Sequence, residues 1–196
     1  MNNIEPLERD IVYHIYNRGN NSDTTFNDDE NRRYFLKLYK KHISSIVDTY
    51  AYCLLGNHFH FVVRVKDIDE VDKKIKIKEP SQYFANFFNA YTKAFNKQNG
   101  RHGSLFEKPF HRKRIINESY LKDAIIYVNN NAVNHGFVRR IEDWKWSSYN
   151  CTASEIQCKI DIDKETVIDA FGDKENFIFM HKSFKYIPDE ISSYFI

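Results

Sequence analysis

Cysteine, proline, glycine and long apolar runs are all scarce in this chain of 196 residues. Its three cysteines, Cys53, Cys151 and Cys158, are an odd number without CxxC spacing. That argues against a zinc site or a disulfide framework. Cys53 lies in an apolar run and reads as a core residue. No stretch approaches the ~20 apolar residues of a membrane span, and the opening residues hold no apolar signal region. The expected location is therefore cytoplasmic. There is no internal repeat and no low-complexity segment. The formal net charge is only +2, so overall charge does not mark a polyanion-binding protein.

What is present is enough for a folded core. Hydrophobic residues make up 42% of the chain and charged residues 29%, which excludes a disordered chain. The length suits one domain with an appended tail, large enough to bury a core without staples. Sixteen Phe, 13 Tyr and 2 Trp are mainly core fillers, and they are also stacking platforms for bases. Charge is uneven along the chain. Residues 151–196 hold 5 Lys against 9 Asp or Glu, a net of −4, which leaves +6 for residues 1–150. The basic part is where a polyanion would bind.

The patterning reads as β-α-β-β-α-β. Residues 11–18 alternate as a strand and end at Gly19. Asp28 and Asp29 open a helix to about Ile46, with Tyr34, Phe35, Leu38 and Tyr39 at helical spacing. Residues 47–55 and 58–65 are strands joined by the Gly56-Asn57 turn, a hairpin. Pro80-Ser81 starts a second helix that Asn99-Gly100 ends. Residues 104–116 form the fourth strand, followed by a helix over 117–131 and two short helices near 163–171 and 173–183. The expected fold class is α+β, a ferredoxin-like split β-α-β antiparallel sheet with helices packed on one face, plus C-terminal helices. Residues 1–150 form the main domain and 151–196 a helical extension packed on it.

Three groups of residues could carry chemistry. His58 and His60, two apart on a strand, point to the same face and can converge on one divalent metal. A His-x-His pair alone is a weak signal, more often structural or incidental than a metal site; the Gly56-Asn57 turn before it places the pair at a strand start beside a loop. Tyr91 lies mid-helix, where it is either a buried ring or a nucleophile able to attack phosphorus. An amide from the same helix, Asn96 at i+5, could complete the metal shell, although helical geometry favours i+4, which is Phe95. Residues 101–114 interleave Lys and Arg with rings, as in a single-strand groove; a solvated edge strand reads the same way.

These motifs together resemble the REP-associated tyrosine transposases and their short insertion-sequence relatives, the single-tyrosine HUH enzymes. The resemblance runs in order through Tyr13 to Gly19, Ala51 to Phe61, Tyr91 to Asn96, Gly103 to Glu107, Tyr127 to Val133 and Trp146 to Tyr149. Departures are Gly56 where proline is commoner, Lys108-Pro109 after Glu107 where Gly-Arg is usual, and Ala132 after Asn131 where proline is usual. The resemblance implies a transposase that cleaves and rejoins single-stranded DNA near hairpins through a 5′-phosphotyrosine. It implies Mg2+ or Mn2+ on His58, His60 and Asn96, with Tyr91 as nucleophile. Arg18, Arg101, Arg112, Lys113 and Arg114 would grip DNA. Relatives differ between monomers and homodimers. The alternatives are a hairpin DNA- or RNA-binding protein without catalysis, and a purely structural role for the His pair and Tyr91.

Overall fold

Alternation of side chains builds the centre of the molecule. The structure, a computed structural model, describes residues 5–184. Strands β1 (Val12–Arg18), β2 (Val47–Leu54), β3 (His58–Val65) and β4 (His111–Ile115) form one sheet in the order β2-β3-β1-β4, every neighbouring pair antiparallel. Helix α1 (Asp29–His42) connects β1 to β2, and α2 (Pro80–Asn99) connects β3 to β4. This is the expected split β-α-β order.

Local signals set the boundaries. The Asp28 carboxylate accepts the Asn31 N–H and caps α1. Pro80 occupies the first turn of α2, and Gly100 ends it with φ +60°, a left-handed conformation that glycine adopts freely. Helix α1 stops at His42 rather than near Ile46, because the chain turns at Ile43, whose C=O accepts the Ile46 N–H. Strand β4 is shorter than residues 104–116. Upstream of it, Phe106 only bridges Gly19, and Pro109 has no N–H to give a ladder.

Helices cover both faces of the sheet. The expected layer is there: α1 and α2 pack on the face formed by Tyr13, Ile15, Phe59, Phe61, Val63 and Val65. The other face is covered as well. Helix α3 (Glu118–Asn134), with α4 (Tyr149–Ala153), α5 (Lys164–Phe171) and α6 (Lys174–Ser183), builds a second core with Ala51, Cys53 and Val62. Residues 185–196 of the expected extension lie outside the described residues. Among the described residues no helix is long and apolar enough to cross a membrane.

One sequence expectation is corrected here. Cys151 and Cys158 form a disulfide, with Cα atoms 5.1 Å apart, while Cys53 is free and buried. The chain doubles back after α4 and brings together two cysteines whose spacing carries no motif.

The first core depends on rings. Phe35 is fully buried and touches Phe26, Phe59, Phe87, Tyr91 and Phe106. Phe35→Ala is expected to cost about 3–5 kcal/mol, read from the shift of a urea unfolding midpoint.

Candidate active site

The period of β3 sorts its residues into two layers. Phe59 and Phe61 enter the aromatic core with α1 and α2. His58 and His60 therefore face the α3 side. In β1, His14, Tyr16 and Arg18 share that side, and Tyr16 is paired with both His60 and His111 across the sheet. The rings of His60, Tyr16 and His111 stack in a row, with centroids 5.7 and 4.9 Å apart.

This face opens into a cavity of about 420 Å³ whose lining includes Arg18, Asn57, His58, His60, Tyr127 and His135. Beside Arg18 and Asn57, which line it, the chain makes a close backbone approach. The Gly19 N–H donates to the Asn57 C=O, and a Cβ on Gly19 would come within 2.1 Å of the Asp23 carbonyl oxygen. Only glycine fits there.

Helix α3 supplies the opposite wall. Tyr127 and Asn131 are one turn apart and share a helix face. Tyr127 stands edge-on to His60, with ring centroids 5.7 Å apart, and is 2% exposed. The Asn131 Oδ1 lies 3.2 Å from His58 Nε2. The neighbouring amides point elsewhere. Asn129 accepts from the Ser148 hydroxyl and pairs with His181, while Asn130 donates to the Ile126 and His181 carbonyls. Three consecutive asparagines thus divide the work: two lock the helix against the tail and the third faces the histidines.

Burial keeps the imidazoles neutral. It is the first cause lowering His58 to about 4, followed by the neighbouring His135. It also takes His60 well below its ordinary value, helped by His14, His58 and His135. His14 falls to about 3 through burial and Lys113. A neutral imidazole carries one N–H and one lone pair. In His58 both nitrogens face amide oxygens: Nδ1 lies 2.7 Å from Asn57 Oδ1, and Nε2 faces Asn131 Oδ1. With the proton on Nδ1, the Nε2 lone pair and the Asn131 oxygen confront each other. A cation between them resolves the conflict, as does rotating the amide to present Nδ2, which is buried without a hydrogen-bond partner among the described residues. The 3.2 Å gap matches the roughly 3 Å between adjacent ligands of an octahedral ion with bonds of about 2.1 Å. His60 Nδ1 shares a 2.9 Å hydrogen bond with His14 Nε2; when His60 is the donor, its Nε2 presents a lone pair. No three His, Cys, Asp or Glu among the described residues form a metal-holding group; beside the histidine pair, the Asn131 oxygen is a further donor within reach of His58.

Two expected site residues are elsewhere. Tyr91 sits on α2, on the opposite face of the sheet, 1% exposed among Phe26, Phe35 and Phe106. Its hydroxyl donates to the Thr25 carbonyl at 2.7 Å, and burial raises its pKa far above the ordinary phenol value. The sheet separates it from His58 and His60, so it is a core ring. Asn96 lies on the same helix and donates to the Gly103 carbonyl, tying the following loop to α2. The basic residues also divide. Arg18 lines the histidine cavity, and Lys113 pairs with His14 on that face. Arg112 and Arg114 alternate to the other side, where Arg112 lies over Phe110 and Arg114 pairs with Glu5 and Glu8. Arg101 is bound to Asp23.

Tyr127 and Asn131 are the residues the sequence reading missed. The signal was available: of the tyrosines in α1, α2 and α3, only Tyr127 has an amide at i+4.

Fold and cavity together define a class: a split β-α-β sheet with a His-x-His pair on a central strand, facing a tyrosine-bearing helix. No family model matches the chain. A Haemophilus influenzae protein provisionally named a REP-associated tyrosine transposase is 27% identical over 105 residues, covering 53% of this chain. The match spans 59% of that relative, less than two thirds of its length. A solved structure of a REP-associated tyrosine transposase bound to a REP hairpin shares the fold with a TM-score of 0.58. It is 16% identical and covers 81% of this chain and 89% of that one. Both agree with the resemblance read from the sequence.

Tyr91→Phe removes one buried hydroxyl and strands the Thr25 carbonyl. It is expected to cost about 1–2 kcal/mol in urea unfolding and to leave any activity of the folded protein unchanged.

Proposed function

We propose that the chain is a transposase of the REP-associated tyrosine type, which cleaves and rejoins single-stranded DNA beside a hairpin. The observation that supports this most is the convergence of Tyr127, His58 and His60 on one cavity edged by Arg18, with Asn131 set against His58. Tyr127 is the nucleophile: its phenolic oxygen forms a bond to phosphorus, the bond to the 3′-oxygen breaks, and the DNA leaves a free 3′-hydroxyl. The phosphotyrosine keeps the energy of the broken bond, so the reverse attack rejoins strands without ATP. His58, His60 and Asn131 would hold Mg2+ or Mn2+, which draws charge from the scissile phosphate when bound. Arg18 steadies phosphate oxygens at the cavity mouth. His14 orients His60, and Asn57 orients His58.

A second reading, hairpin binding without cleavage, is favoured by the burial of Tyr127, whose oxygen has to reach the phosphate to act. The two differ in a denaturing gel of the protein with labelled stem-loop DNA pools. Cleavage gives a protein–DNA band with Mn2+ or Mg2+ that a chelator removes. Tyr127→Phe abolishes the band, and Tyr91→Phe keeps it. A native-gel shift without any covalent band in wild type selects the binding-only reading. Asn131→Ala is expected to retain DNA binding and to raise the metal concentration needed for half-maximal adduct by about 10–100-fold.

A further inference from the structure

A second cationic cavity lies away from the histidines, among residues with no role so far. Helix α1 carries Arg33, Lys37 and Lys40 at spacings of four and three, one stripe along the helix. With Lys145 and Lys159 they line an open trough of about 420 Å³ over the buried side chains of Leu36 and Trp146. No carboxylate lines it. Arg33 is paired with Glu30 and Lys145 with Asp29, while Lys37, Lys40 and Lys159 make no ion pair among the described residues.

The trough is preorganised. Lys145 stands between Trp144 and Trp146; the Trp146 carbonyl accepts the Leu54 N–H, and its indole N–H donates to Asp29. Lys159 stands between the disulfide-bonded Cys158 and the buried Ile160. Both backbones are thus anchored before any ligand arrives, which lowers the ordering cost of binding. Burial, and then the charge of Lys145, lower the pKa of Lys159, while Asp29 opposes them. The trough is also connected to the candidate active site. Phe137 at the rim of the histidine cavity packs on Trp144, 5.5 Å between centroids, and the next two residues, Lys145 and Trp146, line the trough.

We propose that this trough holds the phosphodiester backbone of the DNA whose reactive phosphate enters the His58–His60 cavity. The proposal rests on the stem-loop DNA binding that both readings above share, and only its link to the cavity rests on the cleaving one. Four of the five cations are lysines, point charges that attract phosphate without the planar fork that reads a base edge, so the contact is independent of sequence. The paired cationic walls match the phosphates, and the apolar floor matches the sugar faces between them.

The test is fluorescence anisotropy of wild-type protein and variants with labelled stem-loop DNA bearing single-stranded tails, across a salt series with chelator present. The Lys37→Ala/Lys40→Ala double variant is expected to bind roughly tenfold more weakly at low salt. Its log-affinity against log-salt slope should be shallower by about two, for every stem sequence tried. Lys37→Arg/Lys40→Arg should restore both. These are exposed helical positions, so circular dichroism should be unchanged. Wild-type affinity and slope in the double alanine variant overturn the proposal, as does a loss confined to particular stem sequences. Because chelator blocks cleavage, the measurement does not depend on whether the enzyme reading holds. A missing covalent band sinks that reading alone, and an unchanged salt slope sinks only the trough.

Discussion

The two-residue period of β3 is the constraint on which the rest depends. It sends Phe59 and Phe61 into one core and His58 and His60 toward the other side. Slipping the strand by one residue would bury imidazoles among rings and send Phe59 and Phe61 into the histidine side. The pairing with β1 fixes that register, placing Tyr16 beside His60 and Arg18 beside His58. Because the first core is packed with interlocking aromatic side chains, the sheet forms a stiff backing for the histidine cavity.

The phase of α3 is the second condition. Tyr127 and Asn131 face the histidines only because the other side of the helix is committed. Ser148 and His181 hold Asn129 and Asn130, and the backbone N–H of Tyr52 donates to the Ser148 hydroxyl. His181 is kept neutral by burial, down to about 4, and accepts or donates within that network without a charge to compensate. The C-terminal helices therefore do more than cover the second face: they set the rotation of the helix that carries the candidate nucleophile. The Cys151–Cys158 bridge holds the loop between them and the core.

Most of the fold was legible from periodicity and punctuation. The His58–Val65 strand, the Gly56-Asn57 turn, the Pro80 start and Gly100 stop of α2, and the tail helices all follow local rules. The His pair was legible for the same reason, since strand alternation is local. The nucleophile was not. Tyr91 and Tyr127 are both mid-helix aromatics, and periodicity cannot say which face of a sheet a helix will cover. That depends on connectivity: α2 returns to the face that α1 covers, while α3 leaves the edge strand β4 and crosses the other face. The i+4 amide was the local clue, present after Tyr127 and missing after Tyr91. The disulfide was illegible because its spacing is set by how the chain turns after α4.

The central claim is that Tyr127 forms the covalent bond to DNA. Mass spectrometry of the trapped adduct after nuclease and trypsin digestion tests it at a single residue. Cleavage after Lys122 and Arg139 gives a peptide, residues 123–139, in which Tyr127 is the only tyrosine. The account predicts the nucleotide mass on that peptide. A nucleotide on residues 79–93, which contain Tyr83 and Tyr91, or on any other tyrosine peptide, would contradict it.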